Sequence, residues 1–449
     1  MNIDNRRIGL FIGSEFHARS VVESGVLDQL LTKYEILVFT SPAIKKKFFI
    51  QYPKLNFIEF EFSGKIHKLF SSYLLLGTLR NIKKSNSFRF RITRYILGDY
   101  FESGNFMYQL IWIFKCFFKS IKIFLTKCIA KTLLFKYIEK RYFKEIFKTF
   151  DISELKFQSF DILISWSQNA EPAAIASILL GRKIEVPSMV VADNWDNLSS
   201  KSVFPLEPNA LVCFGQQSLV FARSIQNFKN CRIYPIGSAR FEIYRRIIEG
   251  FEKKEPRQIL YAGSSIVAED MEILEVFEKY YQSKTVSIDF RYRRHPYPQG
   301  PILDLNNLKN KFPTLFKAEL LLANSSLESL EMTKEELRTT KIMVSMPTTF
   351  LIEGLLCNIP TILISFKSKK VRTNSRKMLQ ELEHLKGIEK LPGVLVANNN
   401  QDLLENIDFL TKHTINSQDN SILKYYVNWE RDNFSKKFIE AIEENILSN

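Results

Sequence analysis

Short apolar segments of strand length alternate with helical segments along most of this 449-residue chain, and the alternation starts twice. The first set of strands is predicted at 7–13, 35–41, 54–62, 161–167, 186–193, 209–215 and 231–237. The second set is predicted at 257–265, 286–294, 341–346 and 360–365. Regular alternation of strand and helix is typical of a parallel, doubly wound sheet. We therefore predict an α/β protein with two Rossmann-like domains facing a cleft.

The predicted domains are residues 1–238 and 239–428, with the boundary close to Gly237. Helical spacing from Trp429 to Ile446 makes 429–449 a candidate for a helix that crosses back to the first domain. Five cysteines without a C-x-x-C pair argue against a disulfide framework or a zinc site. With no sign of a signal peptide, these features favour a cytoplasmic location.

The net charge of +15 is concentrated in one segment. From Arg80 to Lys148 the sequence has 16 lysines and arginines against 4 acidic residues, which is +12 of the total. Residues 106–150 interleave lysines with large apolar side chains, and no uncharged run reaches the roughly 18 residues of a membrane span. We predict a helical insertion at about 80–150, whose 106–150 part lies on an anionic membrane as one or two amphipathic helices. The alternative is a helix pair that covers a sheet, and a nucleic-acid partner is not expected.

Ligands of open parallel sheets bind beyond the carboxyl ends of the strands, so the loops after the strands are the candidate sites. Gly263, Ser264 and Ser265 form a small-residue turn into a helix, which offers N–H groups to a phosphate. Any tight turn between a strand and a helix uses the same residues, and that is the alternative.

Two further loops of the second set carry polar side chains. Arg293 and His295 follow a strand and suit a diphosphate, unless they are simply a basic loop. Thr348 and Thr349 begin a helix and can also bind phosphate. Glu353 lies one turn later, where a carboxylate can accept ribose hydroxyls. The alternative is a helix cap and a surface glutamate.

The first set of strands supplies candidates for a general base. Glu15 and His17 follow the first strand, and Asp193 and Asp196 follow the strand at 186–193. A carboxylate or imidazole in such a loop can take a proton from an acceptor hydroxyl, but either aspartate can instead hold an Asx turn. The sequence has no D-x-D pair, which favours chemistry without a metal, and no G-x-G-x-x-G fingerprint.

The second half resembles the donor lobe of GT-B glycosyltransferases in the turn at 263–265, the His295-Pro296 pair and the segment MPTTFLIEGLLCNIPTILIS at 346–365. The segment at 233–242 is similar to the junction between lobes in Kdo transferases, lipid A disaccharide synthase and CDP-glycerol glycerophosphotransferases. The segment at 193–201 is similar to bacterial surface carbohydrate biosynthesis proteins. Bacterial sialyltransferases hold their CMP moiety with a similar HP pair and Ser/Thr pair.

This resemblance implies a glycosyltransferase of capsule or lipopolysaccharide biosynthesis, peripheral on the inner face of the cell membrane. It implies transfer from a CMP- or UDP-linked sugar to a glycan or lipid-linked acceptor, with no separate cofactor. His295, Thr348 and Thr349 would stabilise the leaving phosphate, and Glu353 would bind ribose. The alternatives are a CDP-glycerol-type phosphotransferase, a sugar-nucleotide 2-epimerase on the same fold, and a non-enzymatic membrane-associated nucleotide-binding protein.

Overall fold

The chain divides into two compact units. A computed structural model describes residues 6–98, 106–151, 155, 157–167, 169–250, 254–283, 288–295, 305–316, 330–367, 373–413, 415, 420–429 and 433–447. The first unit comprises Met1–Arg89, Lys122–Glu242 and Leu423–Asn449, and the second comprises Phe90–Ile121 and Ile243–Ile422. Each unit is built on one sheet, and all strands of both sheets are parallel.

The sheet of the first unit has seven strands in the order β3-β2-β1-β4-β5-β6-β7. They are β1 (Arg7–Ile12), β2 (Glu35–Thr40), β3 (Asn56–Glu59), β4 (Ile162–Ser167), β5 (Ser188–Ala192), β6 (Ala210–Cys213) and β7 (Arg232–Pro235). The four central strands β1, β4, β5 and β6 are almost entirely buried, as expected where helices cover both faces of a parallel sheet.

Ten helices lie between β1 and β7 in the described part of the chain. They are α1 (Glu15–Val22), α2 (Val26–Leu31), α3 (Pro42–Phe48), α4 (Gly64–Arg80), α5 (Asn86–Leu97), α6 (Phe106–Ala130), α7 (Leu133–Phe147), α8 (Pro172–Ile184), α9 (Asn197–Ser200) and α10 (Gln216–Ser224). Residues 20–34 have helical spacing in the sequence, but in the structure they are divided between α1 and α2. Gly25 adopts φ +78° at this point, a left-handed conformation that ends one helix and begins the next.

The sheet of the second unit has five strands in the order β12-β11-β10-β8-β9. They are β8 (Gln258–Ala262), β9 (Asp289–Arg293), β10 (Thr340–Ser345), β11 (Thr361–Ile364) and β12 (Val394–Ala397). A 3-10 helix at Ala239–Tyr244 precedes this sheet. The remaining helices are α11 (Arg245–Ile248), α12 (Val267–Ser283), α13 (Leu305–Lys311), α14 (Leu330–Thr339), α15 (Phe350–Leu356), α16 (Ser375–Glu381), α17 (Asn400–Lys412), α18 (Asn420–Tyr426) and α19 (Phe434–Leu447), with short 3-10 turns at Glu383–Leu385 and Ile388–Lys390.

The C-terminal part of the chain belongs to the first unit. The helix predicted from Trp429 begins instead at Phe434, after residues 430–432, which lie outside the described part. Phe434, Phe438 and Ile442 of α19 are buried in the same hydrophobic core as β1, β4 and β5. Just before the helix, the backbone N–H of Asn428 donates to the Phe214 carbonyl at 2.6 Å, which fixes this segment at the end of β6.

Each sheet contains one point where the order of strands reverses. In the first sheet, β1 lies between β2 and β4, so the chain turns to opposite sides of β1. In the second sheet, β8 lies between β9 and β10. Such switch points open a crevice at the carboxyl ends of the two central strands, where ligands of this fold class bind. The loops that follow β1, β4, β8 and β10 therefore flank the two crevices.

We find no helix in the described ranges that combines the length and the apolar character required to cross a membrane.

Candidate functional site

A buried carboxylate shapes the turn that follows β8. Asp270, on the first turn of α12, accepts hydrogen bonds from the Ser264 N–H at 2.9 Å and from the hydroxyls of Tyr261 at 2.9 Å and Tyr292 at 2.6 Å. Burial raises the pKa of Asp270 to about 7, while the Tyr292 hydroxyl, the Ser264 N–H and the Tyr261 hydroxyl act in the opposite direction. A Cβ atom on Gly263 would lie 2.2 Å from Oδ2 of Asp270, so this turn requires glycine.

The same turn is contacted by a cation from α5. Arg94 donates from Nη2 to the Ser265 hydroxyl at 3.0 Å. Glu269 of α12 lies near Arg94, and its carboxylate accepts the Ser375 N–H at 2.8 Å. Burial raises the pKa of Glu269 to about 8, although the Ser375 N–H and the charge of Arg94 oppose the rise. Of the three predicted residues in this turn, Ser264 and Ser265 therefore have defined internal partners.

The loop after β10 lies directly beside this turn. The Met346 N–H donates to the Ala262 carbonyl at 3.1 Å, which joins the ends of β10 and β8. Thr348 follows in the loop, and its Oγ1 is buried and has no hydrogen-bond partner among the described residues. Thr349 is the N-cap residue of α15. The structure thus brings four of the predicted residues to one switch point: Gly263, Ser264, Thr348 and Thr349. This agrees with the prediction that the loops after the strands form the candidate site.

Arg293 is held by an acidic partner that the sequence did not indicate. Its guanidinium forms an ion pair with Glu336 of α14 and lies 4.4 Å from the ring centroid of Phe350, at the start of α15. Arg291 forms a second ion pair with Glu336 at 2.9 Å, so two guanidinium groups share one carboxylate. These three side chains together carry a net charge of +1. His295 is half-buried after β9, and Pro296 lies outside the described residues.

Glu353 is buried within α15 and is engaged by a tyrosine. The Tyr244 hydroxyl donates to Oε2 of Glu353 at 2.5 Å, and Tyr244 itself is fully buried at the end of the 3-10 helix. A ligand hydroxyl that binds this carboxylate would therefore share it with Tyr244. The alternative of a surface glutamate is wrong, because the Glu353 side chain is only 8% exposed.

In the first unit, Asp193 is buried at the end of β5, next to cations. Its burial raises the pKa of the carboxyl to about 7, and the charge of Arg240, the hydroxyl of Ser20 and the charge of Arg19 lower it in part. Arg240 itself lies among aromatic rings, with its guanidinium 5.1 Å from the Phe241 ring centroid. Asp193 can therefore gain or lose a proton close to neutral pH.

His17 lies at the switch point of the first sheet. It belongs to α1, whose N-terminus is capped by the Ser14 hydroxyl, which accepts the His17 N–H at 3.3 Å. Nε2 of His17 is 3.8 Å from Oε2 of Glu171, the N-cap residue of α8 after β4. Burial lowers the pKa of His17 to about 3, so the imidazole is neutral. Neither ring nitrogen has a hydrogen-bond partner in the described part of the protein.

The other two candidate bases have structural partners. Glu15 pairs with Lys47 at 2.6 Å on the surface of the first unit. Asp196 is the N-cap residue of α9, where Oδ2 accepts the Ser200 hydroxyl at 2.7 Å. The structure thus brings Asp193 into a buried, charged setting and leaves Glu15 outside it. Asp196 precedes α9, but its side chain makes no capping hydrogen bond there, so the Asx-turn alternative stays a prediction.

Sequence reasoning missed Glu171, Arg240, Tyr244 and Asp270. A local signal existed for Glu171 alone, since it lies between β4 and the proline that opens α8. The other three interact with residues that are distant in the chain or follow a glycine turn of ordinary appearance. Within the described ranges, no group of three or more His, Cys, Asp and Glu side chains could hold a metal ion.

No protein-family model matches the sequence, and no curated protein matches it. Solved structures, in contrast, match along nearly the whole chain. The structure of S. aureus MnaA with UDP matches with a TM-score of 0.51 at 9% identity, over 99% of this chain and 98% of that chain. UDP-GlcNAc 2-epimerase from Methanocaldococcus jannaschii matches with a TM-score of 0.50 at 9% identity, over 98% and 99%. MurG from Acinetobacter baumannii matches with a TM-score of 0.47 at 8% identity, over 98% and 99%.

Identities this low concern the fold and not the activity. The matches with MnaA and the M. jannaschii epimerase extend over both units, and each unit contains a parallel sheet with one switch point. The chain therefore consists of two Rossmann-like domains of the GT-B fold.

Proposed function

We propose that this protein is a glycosyltransferase whose second unit binds a nucleotide-sugar donor at the β8/β10 switch point. The observation that carries the proposal is that the small-residue turn at 263–265 meets the threonine-containing loop after β10 there. The ends of β8 and β10 are joined by the hydrogen bond from Met346 to Ala262, and Thr348 offers an unpartnered buried hydroxyl in the same place. Loops of this kind present N–H and hydroxyl donors to a phosphate.

The chemistry of the donor side follows from the charge that a leaving nucleotide develops. As the glycosidic bond breaks, negative charge grows on the departing phosphate, and donors fixed in advance stabilise it. Thr348, His295 and the N–H groups at the start of α12 would supply these donors. The guanidinium groups of Arg291 and Arg293, which share the Glu336 carboxylate, would add a positive electrostatic potential that stabilises the departing phosphate. Glu353, positioned by Tyr244, would accept a ribose hydroxyl.

Asp193 of the first unit is our candidate for the general base. A catalytic base works best when its pKa is near the working pH, and burial raises the pKa of Asp193 to about 7. The charges of Arg240 and Arg19 stabilise the ionised form that would accept a proton from the acceptor hydroxyl. His17 fits this role less well, because burial lowers its pKa to about 3 and the imidazole therefore resists protonation near neutral pH.

A sugar-nucleotide 2-epimerase is the second candidate function. The two matches with a TM-score of at least 0.50 described above are a UDP-GlcNAc 2-epimerase and the UDP complex of S. aureus MnaA. An epimerase changes the configuration at C2 of the sugar and needs no acceptor. The nucleotide site that we propose serves either reaction, so the acceptor requirement distinguishes the two.

Nucleotide binding is the first test. Thermal unfolding should be measured with CMP, CDP, UDP and GDP for the wild-type protein, Thr348→Ala and His295→Ala, with Glu15→Gln as a surface control. A ligand that binds only the folded state must raise the unfolding midpoint. We expect one nucleotide to stabilise the wild type and Glu15→Gln, and to stabilise both site variants less. The absence of stabilisation by all four nucleotides at millimolar concentration would remove the donor-site proposal.

The reaction is tested with the sugar derivatives of the nucleotide that binds. Release of free nucleotide only when a bacterial glycolipid extract is present supports the glycosyltransferase. Inversion at C2 without any acceptor, followed by proton NMR, supports the epimerase and contradicts the glycosyltransferase. Asp193→Asn should abolish transfer while nucleotide binding persists, because the substitution removes the base and leaves the second unit intact.

A further inference from the structure

Helix α6 packs on the rest of the protein through one narrow face. At about 100° per residue, Trp112, Cys116 and Ile123 lie on the same side of this 25-residue helix. The Trp112 indole donates to the Leu97 carbonyl at 2.8 Å, and the Cys116 thiol donates to the Ile96 carbonyl at 3.4 Å. Ile123 is buried. These contacts define the inner face of α6.

The apolar side of α6 points away from the protein. The outer face of α6 consists of Phe114 (54% exposed), Phe117 (58%), Phe118 (65%), Ile121 (40%), Phe124 (66%) and Leu125 (55%). Ile121 lies nine residues after Trp112, which places it diametrically opposite the inner face. A helix at the surface of a globular protein normally turns its apolar stripe to the core. The arrangement in α6 is reversed, and large exposed apolar patches mark sites of interaction.

Lysines border this outer face and no acidic residue accompanies them. Residues 106–130 contain four lysines and neither aspartate nor glutamate. Lys115 and Lys122 are seven residues apart and therefore lie on one edge, between the inner and outer faces. Lys127 lies on the opposite edge, and Lys119 is directed inward, with its Nζ 5.5 Å from the Tyr95 ring centroid. The helix thus presents an apolar centre with cationic edges.

We propose that the outer face of α6 docks the protein on an anionic lipid bilayer, with the helix lying in the plane of the surface. The apolar centre fits the boundary between head groups and acyl chains, and the lysines reach anionic head groups beside it. Two copies of α6 packed face to face would bring like charges together, which disfavours a self-association surface. A nucleic acid would match the cations but not the aromatic centre.

The neighbouring helix does not share this surface. Phe135, Tyr142 and Ile146 of α7 are buried within the first unit, and its solvated side combines lysines with one exposed aromatic ring, Tyr137, and two exposed leucines near its N-terminus. The alternative of a helix covering the fold therefore applies to α7, and we confine the docking surface to α6. The lysines of α7 consequently supply a matched control, because Lys136 and Lys140 are exposed cations without an exposed aromatic face of similar size.

The expected effects can be stated as changes in membrane affinity. A lysine near an anionic surface contributes about 1 kcal/mol, so Lys115→Gln/Lys122→Gln should weaken binding about 30-fold at low salt. Phe117→Ser/Phe118→Ser removes two aromatic rings and should weaken binding by at least about tenfold at any salt concentration. Lys136→Gln/Lys140→Gln should change binding much less than the α6 lysine pair, although it removes the same charge.

The experiment uses the full-length protein and sedimentation with vesicles of phosphatidylcholine, with and without phosphatidylglycerol. We expect binding only to the anionic vesicles, with the order of variants given above. All variants should unfold at the wild-type temperature, because the substituted side chains are exposed. The proposal is overturned if the wild type does not bind anionic vesicles, or if binding is unchanged in Phe117→Ser/Phe118→Ser. It is also overturned if this variant lowers the unfolding temperature, or if it dissociates an oligomer that does not bind vesicles.

Discussion

Replacing Gly263 by alanine tests whether a buried carboxylate sets the shape of the proposed phosphate-binding turn. The new Cβ would lie 2.2 Å from Oδ2, 2.8 Å from Cγ and 2.9 Å from Oδ1 of Asp270. The carboxylate must then retreat by roughly 1 Å to reach ordinary contact distance. It is fully buried and held by Tyr261, Tyr292 and the Ser264 N–H, so it cannot move without losing at least one of these hydrogen bonds.

The cost has two parts. Overpacking of a buried site costs about 1–3 kcal/mol, and one lost hydrogen bond to a charged group costs about 1.5–3 kcal/mol. We therefore expect Gly263→Ala to lower the free energy of unfolding of the second unit by about 2.5–6 kcal/mol. Gly64→Ala is the matched control, because a Cβ there meets no atom within 4 Å and alanine is the better helix former.

Because the protein has two units, the measurement must report on the second one separately. Amide hydrogen exchange of the peptide 258–283, followed through a urea series, gives the free energy of opening of β8 and α12. The decisive comparison is a double-mutant cycle with Asp270→Ala. If the clash explains the loss, Gly263→Ala should cost less than about 1 kcal/mol in the Asp270→Ala background. Equal costs in both backgrounds would refute the reasoning.

Three further predictions follow from buried polar groups. The pKa of Asp193 is raised by burial from 3.8 to about 7, so the wild type should lose up to about 4 kcal/mol of stability as the pH rises from about 4 to 7. The free energy of unfolding of Asp193→Asn, measured in urea, should not fall over this pH range. The same pH dependence in the variant and the wild type would contradict the prediction. The pKa of His17 is lowered from 6.5 to about 3, so stability should fall as the pH drops below about 6.5, and His17→Phe should lack this loss in the same assay. Finally, Tyr244→Phe removes a hydrogen bond to Glu353, so it should lower the free energy of opening of the second unit by about 1.5–3 kcal/mol. Amide hydrogen exchange measures this free energy, and an unchanged value would contradict the contact.

The fold was predictable because its strands carry a strong local signal. Each of the eleven predicted strands corresponds to one of β1 to β11, since runs of buried β-branched and aliphatic residues leave few alternatives in a parallel sheet. β12 was missed because Val394–Ala397 is only four residues long, with partly exposed side chains at its start. Helix boundaries were less predictable, as the division at Gly25 demonstrates.

The candidate site was predictable in position but not in its interactions. A residue that directly follows a strand lies at the carboxyl edge of the sheet, so sequence alone could place Gly263, Thr348 and Asp193 at strand ends. The partner of each side chain is set by tertiary packing. Glu336 is 43 residues from Arg293, and Tyr244 is 109 residues from Glu353, so no local pattern joins them. Burial, which determines the pKa of Asp193, is likewise a property of the completed fold.

The position of α19 constrains the order of events during synthesis. The core around β1, β4 and β5 includes Phe434, Phe438 and Ile442, yet the chain leaves the first unit at Glu242. At about 5–20 residues per second, the ribosome needs roughly 10–40 seconds to make the intervening segment. During that interval the first sheet lacks part of its cover and exposes apolar surface to the cell. We therefore expect chaperones to bind the nascent chain during this interval, and the translation rate across the second unit to set how long the apolar surface stays exposed.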